Sequence, residues 1–251
     1  MSIGDVALLV VAGVAAGVLG TAGGITSLIS YPALLAVGVA PLPASFTNIV
    51  ALVVCWPGSA LASRPELKGR SAWLLRWSLI TAAGGAIGAW LLLSTPAGVF
   101  VRVVPFLVVA ASLTLLAQPR LSAVHGERLE RRSGAMLTGG LFVVSLYNGY
   151  FGAGAGVMTL ALMLLAVDQH LARANALKNM LVGVATLASA AAFVLFAHID
   201  WSAAAPLAAG MFAGSTLGPR LARRLPEDVL RRLVVLVGIA LAVVLWFDPQ
   251  L

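Results

Sequence analysis

The stretch DVALLVVAGVAAGVLGTAGGITSLISYPALLAVGVA, residues 5–40, decides the fold class. It contains two apolar segments, 5–20 and 25–40, which are separated by the glycine-rich sequence GTAGG at 20–24. Each segment has about 16 residues, which is roughly 24 Å of helix against a hydrocarbon core of about 30 Å. These segments are therefore short for complete membrane spans, and the glycines between them predict a broken or re-entrant helical hairpin.

The composition of the whole chain agrees with a membrane location. Hydrophobic residues make up 61% of the 251 residues and charged residues only 10%, whereas a soluble domain carries about 25% charged residues. The long Ala/Leu/Val runs lack the two-residue alternation of barrel strands, so the predicted fold is all-α and polytopic. No basic residue precedes the first apolar segment, which is therefore expected to remain as a helix rather than to be cleaved as a signal peptide.

Ten apolar segments follow one another along the chain, and we expect about eight to ten helical elements from them. One long polar stretch divides the segments into two groups of five. We therefore predict a first transmembrane repeat at 1–117, a cytoplasmic linker at 118–133 and a second transmembrane repeat at 134–251. The segments lie at about 5–20, 25–40, 44–63, 72–93, 97–117, 134–149, 156–167, 174–197, 203–219 and 229–247.

The two groups resemble each other in the order of their glycines and polar residues when one is shifted by about 130 residues. With a slight drift of the offset, Asn48 falls on Asn179. Because each group has an odd number of elements, the second would start on the opposite face of the membrane, which predicts inverted repeats. The matched glycines are Gly17 with Gly149, Gly20 with Gly152 and Gly24 with Gly156.

The net charge of +7 is interpreted as a signal of topology, and we expect a lipid bilayer and no nucleic acid as partner. On the ten-segment map nearly all Arg and Lys residues fall on one face, which is cytoplasmic by the positive-inside rule. Asp5, Asp200 and Asp248 fall on the other face. We therefore expect a multi-pass protein of the plasma or inner membrane with both termini outside.

The glycine-rich elbows at 20–24 and 149–156 are the candidate binding site. Short, glycine-interrupted segments at corresponding places of two halves are a sequence pointer to a transporter's site. The helices that follow the elbows present free N–H groups and a positive dipole end, which favours an anion. Close helix packing is the alternative, and we prefer it for the pairs Gly13/Gly17 and Gly84/Gly88. The elbow candidates are Gly20, Thr21, Gly23, Gly24, Gly152, Gly154 and Gly156.

Polar residues inside the apolar segments form a second group of candidates, because such residues usually face a cavity or the bundle interior. Asn175 and Asn179 share a helical face beside Lys178, and a cation with amide donors suits an oxyanion. Lys178 lies near a helix start, so that snorkelling to the cytoplasmic surface is an equal alternative. The candidates of this group are Thr47, Asn48, Tyr147, Asn148, Asn175, Lys178 and Asn179.

The apolar segments lack certain residue types, and this absence argues against some mechanisms. All nine acids fall in predicted loops or at helix ends, so proton or sodium coupling through a buried carboxylate is not supported, and facilitated diffusion of the anion is preferred. No metal-binding, serine–histidine or paired-carboxylate pattern occurs, which argues against an enzyme and predicts no cofactor and no metal. Cys55 is interpreted as a buried apolar residue.

Several motifs carry a family resemblance: the paired elbows, YPALLAVGV at 31–39, GYFGAGAG at 149–156 and RANALKN at 173–179. Together they resemble the TauE/SafE sulfite exporter family, also called the sulfite uptake permeases, over nearly the whole chain. The resemblance implies two similar halves and a substrate such as sulfite, an organosulfonate or a related sulfur oxyanion. A carrier for another small anion such as a carboxylate, or a membrane assembly factor, is the alternative. The oligomeric state is left open, with a homodimer as one option.

Overall fold

A computed structural model of the protein describes residues 1–107, Val109 and residues 133–221. Within these ranges every regular element is an α-helix, which confirms the all-α prediction. The helices are α1 (Ile3–Gly23), α2 (Ser27–Ala36), α3 (Pro41–Leu52), α4 (Cys55–Ala62), α5 (Arg64–Leu67), α6 (Ser71–Leu93), α7 (Ala97–Leu107), α8 (Ser133–Tyr150), α9 (Ala155–Ala166), α10 (Leu171–Phe196) and α11 (Trp201–Leu221).

Four stretches are long and apolar enough to cross a membrane, namely α1, the pair α3–α4, α6 and α10. Helices α2 and α9, which follow the two elbows, are shorter, as the sequence predicted. The prediction that segment 5–20 is too short for a complete span was wrong, because α1 extends beyond it at both ends and has 21 residues. Linker residues 118–132 and the last predicted segment, 229–247, lie outside the described residues. The division into two inverted repeats therefore stays a prediction.

The predicted segment at 44–63 is two helices rather than one. Helix α3 ends at Leu52, and α4 begins at Cys55 after a turn at Val53 and Val54. Pro57 has no N–H to donate to the carbonyl of Val53, and its ring disfavours a regular helix at the preceding residue. The carbonyl of Val53 instead accepts a hydrogen bond of 3.2 Å from the N–H of Trp56. This break turns the start of α4 toward the interior of the helix bundle.

Glycines bring the main helix pairs into backbone contact. A Cβ added at Gly13 would lie 2.4 Å from the carbonyl oxygen of Leu207 on α11, and one at Gly88 would lie 2.0 Å from that of Leu146 on α8. Such small residues let membrane helices approach closely. The packing interpretation of the Gly13/Gly17 and Gly84/Gly88 pairs is therefore confirmed. Helix α1 lies along α11, and α6 lies between α8 and α10.

The outer surface is apolar, as a lipid-facing surface must be. Leu75, Leu79 and Trp90 on α6 are 71%, 73% and 63% exposed. Polar side chains such as Ser30, Asn48 and Thr81 are buried. This inside-out distribution of polarity agrees with a multi-pass membrane protein.

Candidate functional site

The two glycine elbows meet backbone to backbone. Gly24 ends α1 in the left-handed conformation with φ of 85°, and Gly152 and Gly154 have φ of 82° and 77° before α9. A Cβ added at Gly24 would lie 2.4 Å from the carbonyl carbon of Gly156, and one at Gly156 would lie 2.5 Å from the Cα of Gly24. No side chain fits between these backbones, and only glycine adopts the positive φ easily. The two elbows are therefore in direct backbone contact.

Helix α10 supplies the side chains that complete the first elbow. Asn175 and Asn179 each donate from Nδ2 to the carbonyl oxygen of Thr21, at 2.9 and 3.0 Å, and Lys178 Nζ lies 3.3 Å from the carbonyl oxygen of Gly20. The last carbonyls of a helix have no intrahelical donor and carry its negative dipole end. Lys178 is 1% exposed, so its amino group lies inside the protein and does not snorkel to the surface.

Two further asparagines hold hydroxyl groups close to the elbows. Asn48 donates from Nδ2 to Ser27 Oγ at 3.1 Å, and Asn148 donates in the same way to Thr186 Oγ1 at 3.1 Å. Each hydroxyl oxygen thus accepts a bond from an amide and keeps its own proton to donate. Tyr147 has a different role, because its hydroxyl donates to the carbonyl oxygen of Ala153 at 2.7 Å and braces the second elbow.

A cavity of about 50 Å³ lies where the elbows, α4 and α10 converge. This volume exceeds the roughly 10–15 Å³ that one ordered water needs. All fourteen candidate residues lie in the described part of the chain. Eight of them line the cavity and six do not. The eight are Gly20, Thr21, Gly24, Asn148, Gly152, Gly156, Lys178 and Asn179.

The six remaining candidates lie close to the cavity or serve other contacts. Asn48 and Asn175 hydrogen-bond the lining residues Ser27 and Thr21, and Tyr147 hydrogen-bonds the second elbow at Ala153. Thr47 lies elsewhere, since its Oγ1 accepts a bond of 3.2 Å from the N–H of Asp200 in the α10–α11 loop. The other two are Gly23, which has open space where a Cβ would lie, and Gly154, which begins α9.

The sequence analysis missed most of the wall contributed by α4. Cys55, Trp56 and Ser59 line the cavity together with Gly183 of α10. The three residues of α4 lie in an apolar run in which only the Pro57–Gly58 pair indicates a break. That pair could have indicated a turn, since proline and glycine are the residues that most strongly interrupt a helix.

The described cavity wall is basic rather than acidic. Of the described residues that line it, Lys178 alone has a basic side chain and none has a carboxylate. Elsewhere in the described ranges, no group of three or more His, Cys, Asp or Glu residues could hold a metal ion. Burying an ammonium without a counter-charge is unfavourable, so that an anion bound beside Lys178 would relieve the penalty.

A charged cluster lies where the α9–α10 loop leads into α10. Asp168 accepts from Arg173 Nε at 2.8 Å and from Arg70 at 3.2 Å, which ties the turn before α6 to the α9–α10 loop. Burial raises the pKa of the Asp168 carboxyl, but hydrogen bonds from the His170 N–H and Arg173, and the charges of Arg173 and Arg70, hold this pKa below its ordinary value. The carboxylate is thereby fixed in its charged form.

Comparison with known proteins adds independent information. The family model described as sulfite exporter TauE/SafE matches residues 6–245. A probable membrane transporter protein of Haemophilus influenzae is 29% identical over 232 residues, which cover 88% of this chain and 86% of that protein. The probable membrane transporter protein YfcA of Escherichia coli K12 is 27% identical over 241 residues, 94% of this chain and 87% of its own.

A third relative is the probable membrane transporter protein ORF9 of a Sinorhizobium species. It is 28% identical over 249 residues, which cover 97% of this chain and 93% of that protein. No solved structure matches the chain. The sequence comparisons thus extend over nearly the whole chain rather than over the elbow motifs alone.

Proposed function

Since this chain belongs to the sulfite exporter TauE/SafE family of membrane transporters, we propose that it carries a small anion through the cavity between the elbows. The anion is sulfite, a related sulfur oxyanion or an organosulfonate. The observation that carries the proposal is the Lys178 amino group, which is buried in a cavity whose described lining has no carboxylate. The Ser27 and Thr186 hydroxyls, whose oxygens accept from asparagine amides, add two donors to this cavity. An oxyanion offers several lone pairs to such a set of donors.

The proposed mechanism is facilitated diffusion with alternating access. The elbows are the places where the glycine-rich breaks of the two predicted repeats meet, so that rocking of one repeat against the other would open the cavity to either side in turn. When one negative charge leaves a cell whose membrane potential is 100 mV, negative inside, its free energy falls by about 2.3 kcal/mol. An anion therefore moves outward without a coupled ion, and the spanning helices need no buried acid for this step.

The experiment is anion flux into proteoliposomes that contain the purified full chain. We expect saturable flux of sulfite that accelerates when the interior of the vesicles is made positive, because the moving species is an anion. Thiosulfate, sulfoacetate, taurine, sulfate and acetate are compared under the same conditions. Flux of acetate with little flux of any sulfur compound would replace the sulfur oxyanion by a carboxylate. Flux equal to that of protein-free vesicles for every anion would contradict the carrier function.

A further inference from the structure

Trp56 forms a part of the cavity wall to which the proposed transport assigns no role. It is the second residue of α4, directly after the turn at Val53 and Val54, and it lines the cavity. Its indole ring lies against α10 at Gly183, where an added Cβ would come within 2.4 Å of the ring's Cδ1. Gly183 is one helical turn beyond Asn179, so the ring packs on the same face of α10 that presents the polar lining residues.

The indole N–H is a hydrogen-bond donor without an acceptor. Trp56 Nε1 is buried, and no acceptor for it exists among the residues that the structure describes. Indole nitrogen can only donate, and a buried donor left unpaired is rare in native proteins because the loss of its water is not compensated. A buried donor on a residue that lines a cavity, without an acceptor in the described part of the chain, is suited to an acceptor that arrives from outside.

The rest of the cavity shows the same surplus of donors. Lys178 Nζ has three protons, and within the described part of the chain it hydrogen-bonds only the carbonyl oxygen of Gly20. The hydroxyls of Ser27 and Thr186 accept from asparagine amides and keep their protons available. The wall is therefore rich in donors and has no carboxylate among its described residues that could receive a cationic group.

We propose that Trp56 is a substrate-binding residue: its indole N–H and the Lys178 amino group donate to the same oxyanion, and this surplus of donors selects anions that carry no ammonium group. The inference rests on the proposed anion transport and narrows its substrate class. It favours sulfite and simple sulfonates over zwitterionic aminosulfonates such as taurine. The ammonium of a zwitterion would enter a wall that has donors but no negative partner, which is a strongly unfavourable arrangement.

The test combines sulfite binding with the NMR signal of the indole N–H. Full-length protein labelled with ¹⁵N at its tryptophan indoles is titrated with sulfite, with chloride and with taurine, and affinities are measured by calorimetry. Trp56→Phe keeps an aromatic ring and removes the donor, and it identifies the Trp56 resonance by its loss. Trp77→Phe is the matched control, because Trp77 is buried on α6 against Trp73 and does not line the cavity.

We expect sulfite to shift the Trp56 indole resonance downfield and Trp56→Phe to weaken sulfite binding roughly ten- to a hundred-fold, which is the value of one hydrogen bond to a charged group. Trp77→Phe should bind sulfite as the wild type does, and taurine should leave the Trp56 resonance in place. If Trp56→Phe does not fold, replacement of the other tryptophans one at a time assigns the resonance by exclusion.

The outcomes separate this inference from the function on which it rests. Wild-type protein that neither binds nor transports sulfite, thiosulfate or sulfoacetate removes the proposed function itself. Wild-type protein that binds sulfite while the Trp56 resonance stays unmoved and Trp56→Phe keeps full affinity overturns the role of Trp56 alone. Taurine that binds as tightly as sulfite and shifts the same resonance overturns the proposed selection against zwitterions.

Discussion

The first and second elbows are built from similar sequences but are held in place in different ways. The second elbow is supported from its own half, since Tyr147 bonds the carbonyl of Ala153 and the N–H of Gly152 bonds the carbonyl of Tyr147. The first elbow has a bond of its own, from the N–H of Gly24 to the carbonyl of Gly20, and in addition side chains of α10 donate to the carbonyls of Gly20 and Thr21. A repeat in sequence therefore does not imply a repeat in contacts.

The same difference appears in the residues that the repeat pairs with each other. Asn48 binds Ser27 and Ser30 within the first half, whereas its counterpart Asn179 reaches Thr21 in the opposite half. Thr47 precedes Asn48 as Lys178 precedes Asn179, yet Thr47 binds the backbone of Asp200, far from the cavity wall. The positive charge thus has no counterpart in the first half. The cavity has one cationic side, which lies where α10 meets the first elbow.

The largest effect is expected from closing the contact between the elbows. Gly24→Ala adds a methyl group that would lie 2.4 Å from the backbone of Gly156, at a φ of 85°. The left-handed conformation and the overlap together should lower the free energy of unfolding by about 2–5 kcal/mol. Thermal unfolding of the purified protein in detergent measures this change.

Gly23→Ala is the matched control for that variant. Gly23 is the preceding residue, and the structure shows nothing within 4 Å of a Cβ placed there. The free energy of unfolding of Gly23→Ala should stay within about 0.5 kcal/mol of the wild-type value. Equal stabilities of Gly24→Ala and Gly23→Ala would mean that the two elbows do not touch in the folded protein.

The next effect concerns the charge that distinguishes the two sides of the cavity. Lys178→Met keeps the length of the side chain and removes its charge, so that sulfite affinity should fall roughly ten- to a hundred-fold while the protein still folds. Folding should persist because Asn175 and Asn179 still cap α1. Calorimetric titration with sulfite gives the affinity, and Lys68→Met, at an exposed position before α6, is the control. Unchanged affinity in Lys178→Met would leave Lys178 as a helix cap only.

A smaller effect tests how the first elbow depends on α10. Asn175 and Asn179 both donate to the carbonyl oxygen of Thr21, so each can partly replace the other. Asn175→Leu or Asn179→Leu alone should reduce stability by about 1 kcal/mol, and the double variant should lose more than the sum, because the buried carbonyl then has neither donor. Unfolding of the four proteins of this cycle is compared. Additive losses would argue against a shared acceptor.

The smallest effect is expected at the charged cluster before α10. Asp168→Asn weakens the ion pairs with Arg70 and Arg173, whose side chains are 37% and 45% exposed, so that the change should be about 1 kcal/mol. The pKa of Asp168 is lower in the folded protein than in the unfolded chain, where it is about 3.9. The stability that the carboxylate contributes is therefore complete above the unfolded pKa and is lost as the pH falls through the folded pKa. Wild-type and variant stabilities should therefore converge in strong acid, as unfolding measured over a pH series will show. A difference that persists there would exclude the carboxylate charge as the cause.

The sequence predicted the parts of this structure that depend on long apolar runs and on glycine. Membrane helices need uninterrupted apolar residues, and the elbows need residues that tolerate positive φ, so both leave visible patterns around 20–24 and 149–156. The packing pairs at Gly13/Gly17 and Gly84/Gly88 were predictable for the same reason.

The wall formed by α4 could not be predicted in the same way. Cys55 and Trp56 are apolar residues inside an apolar run, and their position in a cavity depends on the turn at Val53 and Val54. The use of Asn179 and Lys178 as caps for a helix of the other half depends on tertiary contacts that no local pattern records. Thr47 was included as a polar residue inside an apolar segment, and its bond to the Asp200 N–H shows that such a position alone does not place a side chain in the cavity.

The most direct test of an anion site at the cationic side of the cavity is a crystal of the full chain soaked with selenite, a heavier analogue of sulfite. Anomalous scattering from selenium locates the anion without reference to transport rates. The account predicts one selenium peak between the elbows, within hydrogen-bonding reach of Lys178, and the loss of this peak in Lys178→Met. A peak bound elsewhere in the protein, with the cavity empty, would contradict it.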